Sequence, residues 1–397
     1  MLLPPPVAVG SRVAIVFPAG RPDDDDEDRD GSLALLRQWG LVPVVHDPFR
    51  DRVPQNRRGQ HADDDAARFM ARCFSTSLPD EERARALESA FTDSSCEAVW
   101  CGRGGYGCMR ILELLDWAKL IPALRRKRFF GYSDITALHL AFQTAVPGLV
   151  TFHGPMLVDG AGAIPQSDAA RLQGALFAAD GVSADRQPLF PPLAGLSLNA
   201  CGIPSCRSRG GRAMGRLVGG NLALMSAMVG STWCPSALAA RGPTVLCLED
   251  IGEPAYRLDR MWQQLKLSRI LLNVVAILLG TFVSADGPGG ASESPFAPFE
   301  GRHPRPPRHR SVDSTQTDVE HAQSLLVAPE REEAEAFFWR EVCGIPTDIP
   351  VLWNMSFGHE VNATLPLGAL VVVDSEGAEG AVRLPTAEEN AGFNSKI

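Results

Sequence analysis

Ser133 stands in Gly131-Tyr132-Ser133-Asp134, directly after the apolar run that begins at Lys127 and directly before ITALHLAFQTA, a stretch with helical spacing. A serine on a strand-to-helix turn exposes its hydroxyl at the top of a sheet and aims the next backbone N–H at a developing oxyanion. The same local pattern also suits a serine that caps a helix, and Ile135 stands where the G-x-S-x-G pattern has its second glycine. A second feature, Arg103-Gly104-Gly105-Tyr106-Gly107, follows the apolar run CEAVWC at 96–101. Its bare amides can face a substrate oxygen or simply make a tight turn. There is no Gly-Lys-Ser/Thr, so the loop does not read as a phosphate cradle.

A serine hydroxyl attacks at neutral pH only when a base takes its proton and a third group orients that base. The chain has eight histidines. His303 and His309 lie in a Pro/Gly/Ser/His/Arg-rich segment without a scaffold to hold them, and His321 lies at its edge. His139 falls inside a helical pattern. His153, in Thr-Phe-His-Gly-Pro, equally suits a hydrogen-bonded structural role. His359, in Ser-Phe-Gly-His-Glu after a strand, lies in a loop that a partner domain can present to Ser133, although a lone loop histidine is usually just exposed. Glu249 ends the apolar strand TVLCLED, where a carboxylate needs a partner or the mouth of a site; Asp250 and Glu253 compete with it, and an acid meeting solvent at a strand end fits as well.

The elements that must position these groups alternate. RVAIVF at 12–17 is a β-branched run that stops at Pro18-Ala19-Gly20, SLALLRQWG has helical spacing closed by a glycine, and LVPVVHD follows as a strand. LPDEERARALESAF at 78–91, then a strand at 96–101, the helical MRILELLDWAKL, KRFFGYSD and another helix continue the alternation. This predicts an α/β fold with a parallel sheet and ligand chemistry at the carboxyl ends of its strands. Order weakens around 160–210 and resumes with GRLVGGNLALMSAMVGS, the strand at 244–250, the helix from Tyr256 and strands near 349–354 and 367–374. The expected organisation is one domain over residues 1–160, a connection over 161–210, and a second domain over 211–397 with a disordered insertion at about 285–323.

With 397 residues, 45% of them hydrophobic and 21% charged, the chain has the length and composition of two globular cores rather than a disordered or fibrous protein. The 38 Lys+Arg against 47 Asp+Glu leave a formal net charge of −9, which repels phosphate backbones and gives no support to a nucleic-acid partner. A small soluble ligand fits better. The nine cysteines show no C-x-x-C pair and no zinc-type Cys/His spacing, so they read as reduced thiols. The acidic run from Asp23 to Asp28 lacks spaced oxygen ligands with a turn glycine and reads as a solvated loop. MLLPPPVAVG has no basic start and three prolines, so export is not expected, and the run Ile270 to Val283, broken by Asn273 and Gly280, is too short for a membrane span and reads as buried core.

Taken together, LPDEERARALESAF, RGGYG with its following RILELLD, F-x-GYSDITALHLA, T-x-HGPM, GRLVGGNLALMSAMVGS, LCLEDIGEPAYRLDRMWQQL and FGHEVNATLPLGA resemble the LD-carboxypeptidase family, which includes the microcin C self-immunity peptidases. The resemblance implies an N-terminal flavodoxin-like parallel sheet domain plus a C-terminal swivelling β/α domain. It implies Ser133 as nucleophile, His359 as general base and acid, Glu249 as the group that holds the imidazole, and an oxyanion hole from the amides of Gly105 and Asp134. Arg103, Gly104 and Tyr106 are the implied substrate-binding residues. No cofactor and no metal are expected. The implied reaction is hydrolysis of an L,D-amide through an acyl-enzyme, releasing D-alanine from a murein tetrapeptide, in a cytoplasmic homodimer with no membrane or nucleic-acid partner. The alternatives are cleavage of a peptidyl-nucleotide amide and a catalytically silent binding protein.

Overall fold

Short β-branched runs become buried parallel strands when helices cover both faces of the sheet they join. The computed structural model describes residues 1–20, 27–46, 79–157, 164, 166–179, 211–283, 335, 337–346, 348–353, 355–374 and 381–394. The acidic residues 23–26, the greater part of the expected connection and the expected insertion at 285–323, with His303, His309 and His321, lie outside the described residues.

In the first sheet, β1 (Arg12–Val16), β2 (Val42–His46), β3 (Ala98–Cys101), β4 (Arg128–Gly131) and β5 (Thr151–His153) run parallel in the order 2-1-3-4-5. That is the flavodoxin-like winding, with a topological switch point between β1 and β3. The period of two is visible in β1: Val13 and Ile15 pack with Trp100, Phe130 and Phe152 on one face, while Ala14 and Val16 pack with Leu87, Val99 and Phe129 on the other. Around this sheet lie α1 (Glu27–Gln38), α2 (Asp80–Thr92), α3 (Cys108–Ile111), α4 (Trp117–Leu124) and α5 (Thr136–Ala145). Helix α2 opens on Asp80, Glu81 and Glu82, whose charges suit the positive end of the helix dipole.

Two expectations change here. MRILELLDWAKL does not form one helix; α3 stops at Ile111, and Asp116 starts α4 by accepting a 3.3 Å hydrogen bond from the Lys119 N–H. The apolar period runs through the break, but a capping aspartate competes with helix continuation. Within the stretch assigned to the connection, α6 (Gln166–Phe177) packs Leu172, Ala175 and Leu176 against the Ile15 and Trp100 face of the first sheet. The buried Arg128 Nη1 donates to the carbonyls of Ala175 (2.6 Å) and Leu176 (3.2 Å), which ties the end of that helix to β4.

The second sheet is built from β6 (Arg212–Asn221), β7 (Thr244–Ile251), β8 (Val274–Val283) and β9 (Val351–Leu352), all parallel, with α7 (Leu222–Ala227), α8 (Pro235–Ala239) and α9 (Ala255–Leu267) between them. Of the run Ile270–Val283 expected to be buried core, the strand β8 is buried almost throughout, whereas the 3₁₀ turn Ile270–Asn273 before it leaves Leu272 and Asn273 exposed because only Ile270 turns inward; no described helix is long and apolar enough to cross a membrane. The sheets are not purely parallel. β10 (Leu365–Leu367) pairs antiparallel with β5 in the first sheet, and β11 (Leu370–Asp374) pairs antiparallel with β6 and with β12 (Ala381–Arg383) in the second; α10 (Ala387–Asn394) follows. Only Gly368 and Ala369 separate β10 from β11. Gly368 has φ +88°, and a Cβ there would stand 2.2 Å from the Leu149 carbonyl oxygen, so glycine is required where the chain changes sheets.

Candidate active site

The strand β4 ends on Gly131, where a Cβ would stand 2.9 Å from Ile135 Cγ2, and the chain then turns sharply. Ser133 has φ +61°, a left-handed conformation that costs an L-residue about 1–2 kcal/mol and is held only where the surroundings dictate it. The hydroxyl does not cap the following helix. The short 3₁₀ turn Ser133–Ile135 begins at Tyr132 without a side-chain cap bond, and Ser133 Oγ lies 3.2 Å from His359 Nε2. The choice left open by the sequence, cap or exposed hydroxyl, falls to the exposed hydroxyl.

His359 arrives from the second lobe on a loop pinned to β8, where the Thr281 N–H donates to the Phe357 carbonyl at 2.9 Å. Gly358, at φ +124°, leaves room for Thr281 Oγ1 and the Glu249 side chain, which a Cβ would meet at 2.4 and 3.2 Å. The His359 Nδ1 contacts Glu249 Oε2 at 2.8 Å. That contact assigns the proton: Nδ1–H donates to the carboxylate, and Nε2 is left to accept from the Ser133 hydroxyl. The ring of Tyr132 packs 4.8 Å from the imidazole centroid on the other side.

Glu249 is fully buried, at a bulge in the β7–β8 register between Leu248 and Asp250, a device that re-aims a side chain at the end of a strand. Burial, the largest influence, pushes its carboxyl up, but the charge and hydrogen bond of His359, with His153 and Asn221, outweigh it and hold the group below its usual value. Its competitors serve elsewhere. Asp250 accepts from Asn221 Nδ2 (3.0 Å), the Ala223 N–H (2.9 Å) and the Ile251 N–H (2.8 Å), anchoring the start of α7. Glu253 pairs with the exposed Arg257. His139 is buried between Thr151 Oγ1 and the Gly131 carbonyl, both at 2.8 Å, and braces the elbow from below. His153 is buried beside Tyr132 and Phe357, and neither ring nitrogen has a hydrogen-bond partner among the described residues, so the hydrogen-bonded structural role considered for it is not what the structure holds.

The glycine loop after β3 lies against the elbow. A Cβ on Gly104 would stand 3.0 Å from Ser133 Cβ and 3.1 Å from its Oγ, and the Gly20 N–H donates to the Gly104 carbonyl at 2.8 Å, so the Phe17-Pro18-Ala19-Gly20 turn after β1 fixes the loop's height. Gly105 takes φ +120°. Asp134 Oδ2 accepts from the Cys108 N–H at 2.8 Å, joining the elbow to the start of α3; burial raises this carboxyl above its ordinary value. The buried Arg83 lies under Gly107 and donates to the Pro18 carbonyl. Arg103 and Tyr106 are exposed on the outer part of the loop. Gly104→Ala is expected to push Ser133 out of line and lower kcat about 100-fold with little change in melting temperature. Kinetics alongside a thermal melt check it, and unaltered kcat would mean that the loop is not in contact with the reacting group.

Ser133, His359 and Glu249 thus meet at the carboxyl ends of the strands, with Gly104 of the glycine loop in contact with Ser133. Sequence reasoning passed over Tyr132, Gly20 and Asn221. The signal for Asn221 was available, because an asparagine between a glycine-ended strand and a helical run is a helix cap, and its side chain accepts from the Leu224 N–H at 3.2 Å.

An α/β pair of lobes with a serine elbow facing an imidazole and a buried carboxylate is the class of molecule the geometry defines. Residues 13–154 match the LD-carboxypeptidase N-terminal domain and residues 214–297 match the LD-carboxypeptidase C-terminal domain. A putative carboxypeptidase of Streptomyces coelicolor is 37% identical over 286 residues, 72% of this chain and 79% of that protein. The murein tetrapeptide carboxypeptidase of Pseudomonas aeruginosa is 37% identical over 208 residues, 51% of this chain and 61% of that protein. The crystal structure of an MccF-like protein from Bacillus anthracis shares the fold, with a TM-score of 0.66 at 19% identity over 97% of this chain and 100% of that one. The chain belongs to the LD-carboxypeptidase family.

Proposed function

We propose that the protein is a serine LD-carboxypeptidase that hydrolyses the bond between the L-configured centre of a diamino acid and a terminal D-alanine in a murein tetrapeptide. The observation that carries this reading is the unbroken contact chain from Glu249 Oε2 through the His359 ring to Ser133 Oγ, 2.8 and 3.2 Å long, with its serine in a left-handed turn. Residues 1–160 supply the nucleophile and residues 211–397 the base and its partner. His359 Nε2 takes the hydroxyl proton as Ser133 Oγ attacks the carbonyl carbon. Glu249 steadies the imidazolium that results. The tetrahedral oxyanion is held by the amides of Gly105 and Asp134, and Arg103, Gly104 and Tyr106 receive the peptide around it. His359 then protonates the leaving amine, D-alanine departs, and a water deprotonated by the same ring cleaves the acyl-serine ester. The murein tetrapeptide relative from Pseudomonas aeruginosa supports this choice of substrate.

Incubation with a mixture of muropeptides and peptidyl nucleotides, with products read by mass spectrometry, tests it. Release of D-alanine from the tetrapeptide is expected. Cleavage of the nucleotide conjugates alone would move the reading to the immunity-peptidase branch, and no turnover of either would leave a binding protein. Glu249→Gln is expected to cost about 10⁴ in kcat with the fold retained, because a carboxamide can donate to Nδ1 and so place the ring proton on Nε2, the wrong tautomer for a base. A kcat within tenfold of wild type would remove Glu249 from the mechanism.

A further inference from the structure

On the edge of the first sheet, away from the residues assigned to catalysis, three unlike donors converge: a ring nitrogen of His46 at the end of β2, and Asp93 and Cys96 from the turn between α2 and β3. We propose that His46, Asp93 and Cys96 form a binding site for a divalent cation of the zinc class.

Asp93 Oδ2 stands 3.4 Å from Cys96 Sγ and 3.5 Å from His46 Nε2, and the three donor atoms all lie within 4.8 Å of one another. A tetrahedral ion with Zn–S near 2.3 Å and Zn–N or Zn–O near 2.1 Å imposes S···O separations of about 3.6 Å and N···O separations of about 3.4 Å. The two pairs that share Asp93 therefore already stand at ligand spacing. Imidazole, carboxylate and thiol together suit zinc and its neighbours rather than magnesium or calcium, which take oxygen.

The turn that carries two of the donors is built before any ion arrives. Asp93 Oδ1 is occupied by the Ser95 N–H (2.9 Å) and Ser95 Oγ (2.7 Å), which leaves Oδ2 for the cluster, and the Cys96 N–H donates to the Asp93 carbonyl at 3.1 Å. Lys127, which with Arg12 is one of the cations near the cluster, is committed to the carbonyls of Ala90 (3.0 Å) and Asp93 (2.6 Å), bracing the turn from behind. His46 Nε2 is buried without a hydrogen-bond partner. A thiolate and a carboxylate against a dication leave no net charge among ion and ligands, and the fourth position falls to solvent. The site would clip the edge strand β2 to the end of α2, a structural role separate from peptide hydrolysis.

The test uses the full chain, stripped with a chelator and desalted, then titrated with Zn²⁺ and separately with Co²⁺. Expected are one equivalent bound at micromolar zinc, a higher melting temperature, and a thiolate-to-cobalt charge-transfer band in the near ultraviolet. Cys96→Ser is expected to abolish the band, and Cys96→Ser and His46→Gln each to weaken zinc binding at least tenfold. No binding at micromolar zinc, or the same band and affinity in Cys96→Ser, overturns the proposal. Should the variants fail to fold, X-ray absorption at the zinc edge of the wild type decides: one sulfur near 2.3 Å supports the site, and a shell of nitrogen and oxygen alone overturns it.

Discussion

Ser133→Ala is expected to lower kcat for release of D-alanine by about four to six orders of magnitude while KM and far-ultraviolet circular dichroism stay close to wild type. The whole proposed covalent pathway runs through that one oxygen, and what survives its loss is the contribution of binding and of the oxyanion amides. Because Ser133 and His359 act as one unit through their 3.2 Å contact, adding His359→Ala to Ser133→Ala is expected to cost almost nothing more. A fluorophosphonate probe should label the wild type alone. Retention of even a tenth of kcat in Ser133→Ala would remove this serine from the mechanism. The left-handed turn adds a second readout. Ser133→Gly should be as inactive as Ser133→Ala yet more stable than it by about 1 kcal/mol, since glycine accepts φ +61° without the Cβ clash that alanine keeps. Equal denaturation midpoints for the two variants would mean that the turn stores no strain.

Acid is expected to unfold the protein chiefly through two neutral histidines beneath the site. Burial, opposed by the hydrogen bond to Gly131, lowers the pKa of His139 to about 3, and burial, opposed by Glu249, lowers that of His153 to about 4. Both folded values lie below the unfolded value of about 6.5, so the unfolded chain binds more protons and stability falls as pH falls. The loss is about 1.4 kcal/mol per pH unit for each ring, or about 6 kcal/mol in all between pH 6.5 and 4, comparable to the total stability of many domains. Asp250 works in the opposite sense. Burial and the Glu249 charge push it up to about 7, which returns about half of that loss over the same range. Urea midpoints at several pH values check the sign. The stability gap between wild type and His139→Gln should narrow by about 1.4 kcal/mol per unit from pH 6 to pH 4.5, and a gap independent of pH would show that His139 titrates normally.

Much of the first lobe was legible because its signals are local. RVAIVF ending in a proline-glycine turn, the acidic start of α2 and the elbow after KRFF each carry their own strand, cap or turn chemistry, and all appear close to where their residues place them. Ser133 could be read in the same way as a turn residue, but whether its hydroxyl capped a helix or faced a base depended on residues 226 positions away. His359 and Glu249 were readable only as members of short rosters, since nothing in a loop histidine or a strand-end acid reports which face another lobe will approach. The break at Asp116 was hidden by an unbroken apolar period. The cluster at His46, Asp93 and Cys96 was invisible for a related reason: two of its members form a short turn, and the third is brought to them only by the packing of α2 over β2.

The exchange of strands at Gly368 bears on how the molecule is made. A ribosome has already delivered residues 1–153 long before β10 exists, so β5, the strand next to the elbow, waits with an open edge until Leu365–Leu367 emerges. The nucleophile's sheet is therefore among the last parts of the protein to be closed, and it closes in the same movement that completes the sheet carrying Glu249. Nascent chains halted before residue 365 should bind aggregation-sensing chaperones, and the proposed hydrolytic competence should appear only once β10 and β11 have been made.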